Sequence, residues 1–203
     1  QGWSVKTLLR ELLLTDAFAR DSRPTESALA KDPANDLLAH ARVRRLQGEE
    51  LRDTLLALAG RLEHRPFGPG DNALAPPAAQ TRRSVYLTVR RNSLNPLITT
   101  FDGPKPFTTV GRRDATNVPA QSLTLLNDPF VRELAEHWAH RLAQDPALAD
   151  APARIRVMFL QALARPPTAA ELDRSLRFVE SAATPDSPTP AGQSAAAPAP
   201  WAD

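Results

Sequence analysis

The amino-acid sequence predicts a mainly α, multi-helix domain with one short β segment and long Pro-rich loops. Three observations carry that expectation. Apolar residues recur at helical spacing along most of the chain, whereas β-branched alternation is confined to the run from Ser84 to Val89. The 203 residues include 20 prolines, which interrupt the chain too often for a long coiled coil or a regular central sheet. No stretch of 18 apolar residues occurs, so nothing reads as a membrane span. The absence of cysteine excludes disulfides, iron–sulfur clusters, thiolate zinc sites and covalent haem attachment within this chain.

Taken in order, Ser4 precedes Val5, Leu8, Leu9, Leu12 and Leu13, the pattern of an amphipathic helix capped by Ser4 and running to about residue 19. Trp3 stands where a hydrophobic staple would pack it on Leu8. Residues 20–33, with two prolines, read as a loop. A longer helix is expected over residues 35–59 on the stripe Val43, Leu46, Leu51, Leu55 and Leu58, with Gly60 as its stop and Gly48 as a weak point costing ~1 kcal/mol. Residues 61–80 have loop composition, and 84–89 form a strand with no obvious partner. Helical turns follow at 96–101 and 119–126, the second opened by Pro119. Asp128-Pro129 starts a helix that continues to about Gln144, and another spans 152–164 before the break at Arg165-Pro166-Pro167. Thr168 and Glu171 make a capping box ahead of Leu172, Leu176 and Val179. The expected core comprises Trp3, Leu8, Leu12, Leu46, Leu55, Leu134, Trp138, Phe159 and Leu163. Residues 1–183 form the expected domain, 184–200 a Pro/Ala/Ser-rich linker, and 201–203 the start of a further helix.

The formal net charge is +2, yet residues 81–113 hold seven Lys/Arg against Asp102 alone, so this segment carries +6 and the remainder −4. Three Arg-Arg pairs lie within it. A guanidinium is a planar fork of donors suited to carboxylate, sulfate or phosphate. Arg90, Arg91, Arg112, Arg113 and Asp114 are therefore expected to form either an internal polar node or an anion-binding site. Arg113 with Asp114 would anchor the strand segment against the helix that begins at Asp128. Nucleic acid is not expected as a partner, because only Tyr86, Phe101 and Phe107 are present to stack and no recognition motif occurs.

Two catalytic readings compete with plainer ones. Asp102, Asp114 and Asp128 could supply a glycosidase-like acid/base pair, but Asp128 also suits an N-cap, Asp114 a partner for adjacent arginines, and Asp102 a turn. Glu133, His137 and His140 have the helical spacing of a weak metal site; an exposed polar face explains them as well. Neither a G-x-S-x-G elbow nor a phosphate-binding Gly-rich loop is present.

The string Arg82-Arg83-Ser84-Val85-Tyr86-Leu87-Thr88-Val89-Arg90-Arg91-Asn92 strongly resembles the family known as domain of unknown function 1553. So do Phe101-Asp102, Gly111-Arg112-Arg113-Asp114, Val118-Pro119-Ala120-Gln121 and Leu125 through Phe130. Gly2-Trp3-Ser4-Val5-Lys6, Arg44-Arg45-Leu46 and Leu51-Arg52-Asp53 extend the similarity over residues 2–180. The resemblance implies a helical module of a large planctomycete protein, commonly with a cytochrome c domain elsewhere in the same chain. No cofactor is then expected in this segment, haem c belongs to another domain, and the location is periplasmic or otherwise extracytoplasmic. The first residue is Gln, and with no signal peptide this reads as a piece of a longer polypeptide. The functional expectation is a non-catalytic module for assembly or anionic-ligand binding. Its partners would be the other domains of the polypeptide and an anionic polysaccharide. The alternative is a hydrolase-like domain acting on such a polysaccharide, sulfated or not, through paired carboxylates.

Overall fold

A computed structural model of the chain describes residues 2–107, 109 and 111–183. The linker expected at 184–200 and the helix start at 201–203 lie outside the described residues. The fold is mainly α, with eight α-helices and one two-stranded sheet among the described residues. The chain divides into two compact units, the second beginning at Gln47.

In the first unit, α1 (Val5–Leu13) begins as expected, with the Ser4 hydroxyl accepting the Thr7 N–H at 3.3 Å. It ends six residues earlier than the expected residue 19. Its stripe of Val5, Leu8, Leu9, Leu12 and Leu13 is exposed. Trp3 adopts a positive φ of 54° and is fully exposed, so the staple does not form. The expected loop at 20–33 contains a short helix, α2 (Glu26–Lys31), capped by Thr25. Residues 35–47, expected to be helical, are not. The Asp32 carboxylate accepts the N–H groups of Asp36 and Leu37, at 2.9 and 2.8 Å, and the buried Asn35 bonds both backbone groups of His40. Side chains thereby take the donors a helix would use. Those N–H bonds, from Leu37 first, hold the Asp32 carboxyl below its ordinary range.

The second unit opens with α3 (Gly48–Leu58), whose first turn is closed by the Glu50 carboxylate accepting the Gln47 N–H at 2.9 Å. Gly48 is therefore the first residue of this helix rather than a weak point in its middle. A Cβ built there would lie 2.9 Å from the Ile98 carbonyl oxygen, so the helix start needs glycine for close approach. Then come β1 (Asp71–Asn72), a 3-10 turn at Pro77–Ala79, another at Ser84–Tyr86, and β2 (Leu87–Thr88). The expected strand at 84–89 is thus mostly a turn, and it does have a partner, β1, paired in parallel with Asp71 opposite Leu87. The rest matches the expected punctuation: α4 (Pro96–Thr100), α5 (Pro119–Asn127), α6 (Pro129–Gln144), α7 (Ala151–Leu163) and α8 (Ala169–Ala183).

The core of this unit joins α3, α4 and α6 through Leu56, Ala59, Leu97, Phe101, Phe130, Val131 and Leu134. Of the nine residues expected to be buried, Leu134 is, Leu55 packs against the cluster, and Trp138 and Phe159 are half-buried. Trp3, Leu8, Leu12, Leu46 and Leu163 are exposed, correcting that expectation. On α3 the buried stripe is Arg52, Leu56 and Ala59, one residue out of phase with the expected Leu51, Leu55 and Leu58. Trp138 donates to Gln161 at 2.9 Å, tying α6 to α7.

Candidate anion-binding site

Two buried arginines, Arg52 and Arg82, organise the chain that leads into the site. Arg52, with 0% of its surface exposed, donates to the Arg82 carbonyl at 2.9 Å and to Ser84 Oγ at 3.2 Å, and lies over the Phe130 ring. Burial pushes its guanidinium below the ordinary arginine range, with Asp53 and Asp71 opposing. Arg82, 2% exposed, donates to the carbonyls of Arg65, Phe67 and Pro69 and to Asp71 Oδ1, at 3.1, 2.7, 3.0 and 2.9 Å. Its other side covers the Tyr86 ring at 4.2 Å. One side chain thus gathers the Pro-rich loop onto the sheet. Ser84 gives both its N–H and its hydroxyl to Asp53 Oδ1, each at 2.7 Å, and Arg83 also reaches Asp53. These bonds fold the alternating segment into a turn where its sequence pattern suggests a strand.

Of the seven cations in residues 81–113, three are matched to acids from outside the segment: Arg82 to Asp71, Arg83 to Asp53, and Arg113 to Glu49. Arg113 grips both Glu49 oxygens, at 2.8 and 3.0 Å, and donates to Gln47 Oε1 at 3.0 Å. That bidentate contact raises its pKa further. The partner of Arg113 is therefore Glu49, on α3, in place of the adjacent Asp114, and the side chain anchors its loop to α3 rather than to α6. Arg112 and Asp114 are exposed.

The remaining cations, Arg90, Arg91, Lys105 and Arg112, are exposed, and none forms an ion pair among the described residues. Arg90 pairs its backbone with Ser93 in a tight turn, while Arg91 lies over the Phe107 ring at 5.3 Å. The second contact brings the loop after β2 beside the loop after α4, which also carries Lys105. Asp102, the segment's one acid, accepts the Thr116 N–H at 2.7 Å and the Thr116 hydroxyl at 2.8 Å. Asp128 caps α6 by accepting from Phe130 and Val131 at 2.9 and 3.3 Å.

A family model described as PSD1, protein of unknown function (DUF1553), matches residues 1–179. The chain belongs to this DUF1553 family. No curated protein and no solved structure matches it. Because the family's description assigns no reaction, the roles of its motif residues have to be read from their surroundings.

The histidine pair of this DUF1553 chain sits in such surroundings. His137 Nε2 is 2.6 Å from Arg61 Nη1, which is 3.6 Å from Glu133 Oε1. A guanidinium can only donate, so the ring nitrogen accepts with the lone pair a metal would need. His140 is exposed, and no metal-suited group of three or more His, Cys, Asp or Glu occurs among the described residues. Nor is any helix there long and apolar enough to cross a membrane.

Arg52 and Arg82 are the residues whose importance the sequence reading missed. Arg52 had a readable signal, since it shares the i, i+4, i+7 stripe with Leu56 and Ala59. A charge on an otherwise apolar stripe marks a buried, bonded group.

Proposed function

We propose that this chain is a non-catalytic module that binds an anionic polysaccharide through the loops carrying Arg90, Arg91, Lys105 and Arg112. The observation that carries this reading is the division among the segment's cations. Three are spent on acids inside the fold, while four stand exposed without an ion pair among the described residues. Cations held apart from acids on adjoining loops raise the local potential and draw in anions. The aromatic residues nearby favour charge recognition over base stacking: Arg82 covers Tyr86, Phe101 is buried, and Arg91 covers Phe107. Weighing against a carboxylate hydrolase is the employment of two of its three acids, Asp102 on Thr116 and Asp128 on the α6 cap, while Asp114 stands exposed. The proposed setting is extracytoplasmic, in a polypeptide whose other domains are the module's partners and one of which carries haem c.

Retention on a dextran sulfate column tests the proposal. The parent chain should elute at higher salt than the triple variant Arg90→Ala, Arg91→Ala, Lys105→Ala, whose circular dichroism should match the parent. Equal elution of the two would sink the reading. Release of reducing ends from the polymer by the parent, abolished by Asp102→Asn, would replace binding with hydrolysis.

A further inference from the structure

Residues of the loops that carry the proposed anion site line an open-sided cavity of about 70 Å³, walled by Leu87, Val89, Leu94, Ile98 and Pro104. Its polar lining groups are largely engaged with the protein. Glu49 is gripped by Arg113, Ser84 is committed to Asp53, Asn95 bonds Ile98 N–H and the Ala73 carbonyl, and Thr99 bonds the Asn95 carbonyl. What remains is an apolar interior, with the Ser93 and Thr88 hydroxyls as the side-chain groups without a hydrogen bond among the described residues. A cavity whose polar groups are mostly satisfied offers water few partners and favours a hydrocarbon occupant.

The cavity is also pre-formed. Ile98 is held from two sides by glycines: a Cβ at Gly48 would lie 2.9 Å from its carbonyl oxygen, and one at Gly103 only 2.5 Å from its Cγ2. The Gly103 N–H donates to the Ile98 carbonyl at 2.8 Å, so this wall is bonded to its neighbouring loop and packed against the start of α3. Meanwhile the lining residues lead straight into the free cations. Arg90 follows Val89 and pairs its backbone with Ser93, and Lys105 follows Pro104. The one acid in the lining, Glu49, is neutralised by Arg113. Asp102, beside Gly103, has both oxygens on Thr116.

We infer that this cavity is a subsite for a short aliphatic substituent, of about three or four carbons at most, carried next to the anionic group that Arg90 and Lys105 hold. The size follows from comparison with apolar protein cavities, in which about 150 Å³ admits a benzene ring; this one has about half that volume. The inference rests on the proposed anion-binding function and adds the ligand's chemical class: an anionic saccharide chain bearing a small acyl or alkyl group, rather than a uniformly polar polyanion.

The test uses the full chain, isotopically labelled, titrated separately with sulfate, acetate, butyrate and octanoate. Sulfate and acetate should shift the amides of Arg90, Arg91 and Lys105 and leave the cavity methyls of Leu87, Leu94 and Ile98 unmoved. Butyrate should shift both sets and bind about tenfold more tightly than acetate, as expected for two further buried methylenes. Octanoate should bind no better than butyrate, since its tail exceeds the cavity. Ser93→Phe, or Val89→Phe if the first variant does not fold, should abolish the gain from acetate to butyrate while sulfate binding persists. Equal affinities for acetate and butyrate with unmoved methyls would overturn the cavity assignment and leave the cationic site standing. Affinity that keeps rising to octanoate would also overturn it, in favour of an open groove. Absence of any shift at Arg90, Arg91 and Lys105 with all four probes would overturn the anion-binding function itself.

Discussion

Arg82 and Arg113 come from the same basic segment and resemble one another in sequence, but their burial sets very different consequences. Arg82→Ala would take the donor from three carbonyl oxygens at a nearly inaccessible position and leave Asp71 with only its 3.4 Å contact to Arg65 among the described residues. Breaking a buried pair from one side costs ~3–5 kcal/mol, so urea denaturation should report a loss of that order. Arg82→Lys should recover little, because an ammonium lacks the planar fork. Arg113→Ala removes a pair in which both side chains are about one-third exposed, at 34% and 29%. Solvent screening limits its loss to less than ~1 kcal/mol. Near-equal losses for the two variants would contradict the burial argument. Gly48→Ala offers another contrast. Helix propensity alone favours alanine, but the contact with Ile98 should make the variant less stable than the parent by chemical denaturation. At this scale the sequence disclosed caps and charges more readily than partners. Asp128 was legible as an N-cap because its bonds are local. The pairing of Arg113 with Glu49 spans 64 residues, and adjacency in sequence pointed to Asp114 instead.

Helix starts were the legible elements, since a cap is a few residues of local chemistry. The α8 capping box is the strongest case: Glu171 accepts the Thr168 N–H at 2.8 Å and Arg165 at 2.8 and 2.9 Å. The Arg165 hydrogen bond, followed by those from Thr168, lowers the Glu171 pKa from 4.5 to about 2. A carboxyl depressed on folding stabilises the folded state fully above its unfolded pKa and loses that contribution as pH falls through the folded one. The start of α8 should therefore weaken between pH 4.5 and 2. Carboxyl-carbon NMR should find Glu171 still ionised at pH 3.5, and a midpoint near the ordinary glutamate value would refute the box as drawn. Elements set by competition were not legible. Residues 35–47 carry an apolar helical stripe, but Asp32 and Asn35 take nearby backbone groups. The Ser84–Val89 alternation is strand-like, yet Ser84 is drawn into a turn by Asp53, 31 residues away. In both places a side chain overrides the periodicity, and pattern reading has no access to that contest.

For the molecule as a whole, composition revealed the helical class and the uneven charge, because both are sums over many residues. The division at Gln47 and the small cavity depend on which surfaces meet, and neither left a mark on composition. The second unit holds its own core, the buried arginines and the proposed site. A fragment of residues 47–183 should accordingly unfold cooperatively and keep dextran sulfate binding; a fragment without cooperative unfolding would show that the first unit is needed for the fold. The grip of Arg82 also bears on which changes this architecture tolerates over evolutionary time. Three of its four acceptors in the loop are main-chain carbonyls, at residues 65, 67 and 69, made to converge by left-handed backbone at Phe67 and Gly68. The guanidinium registers where the chain passes and is indifferent to most of the side chains it carries there. Residues 65, 66 and 69 can thus drift in identity while the spacing stays fixed, whereas Gly68 is held to glycine by its φ of 82° and Gly70 by the 2.5 Å at which a Cβ would meet Thr88 Oγ1. A single inserted or deleted residue would pull a carbonyl from the fork and do more harm than several substitutions together.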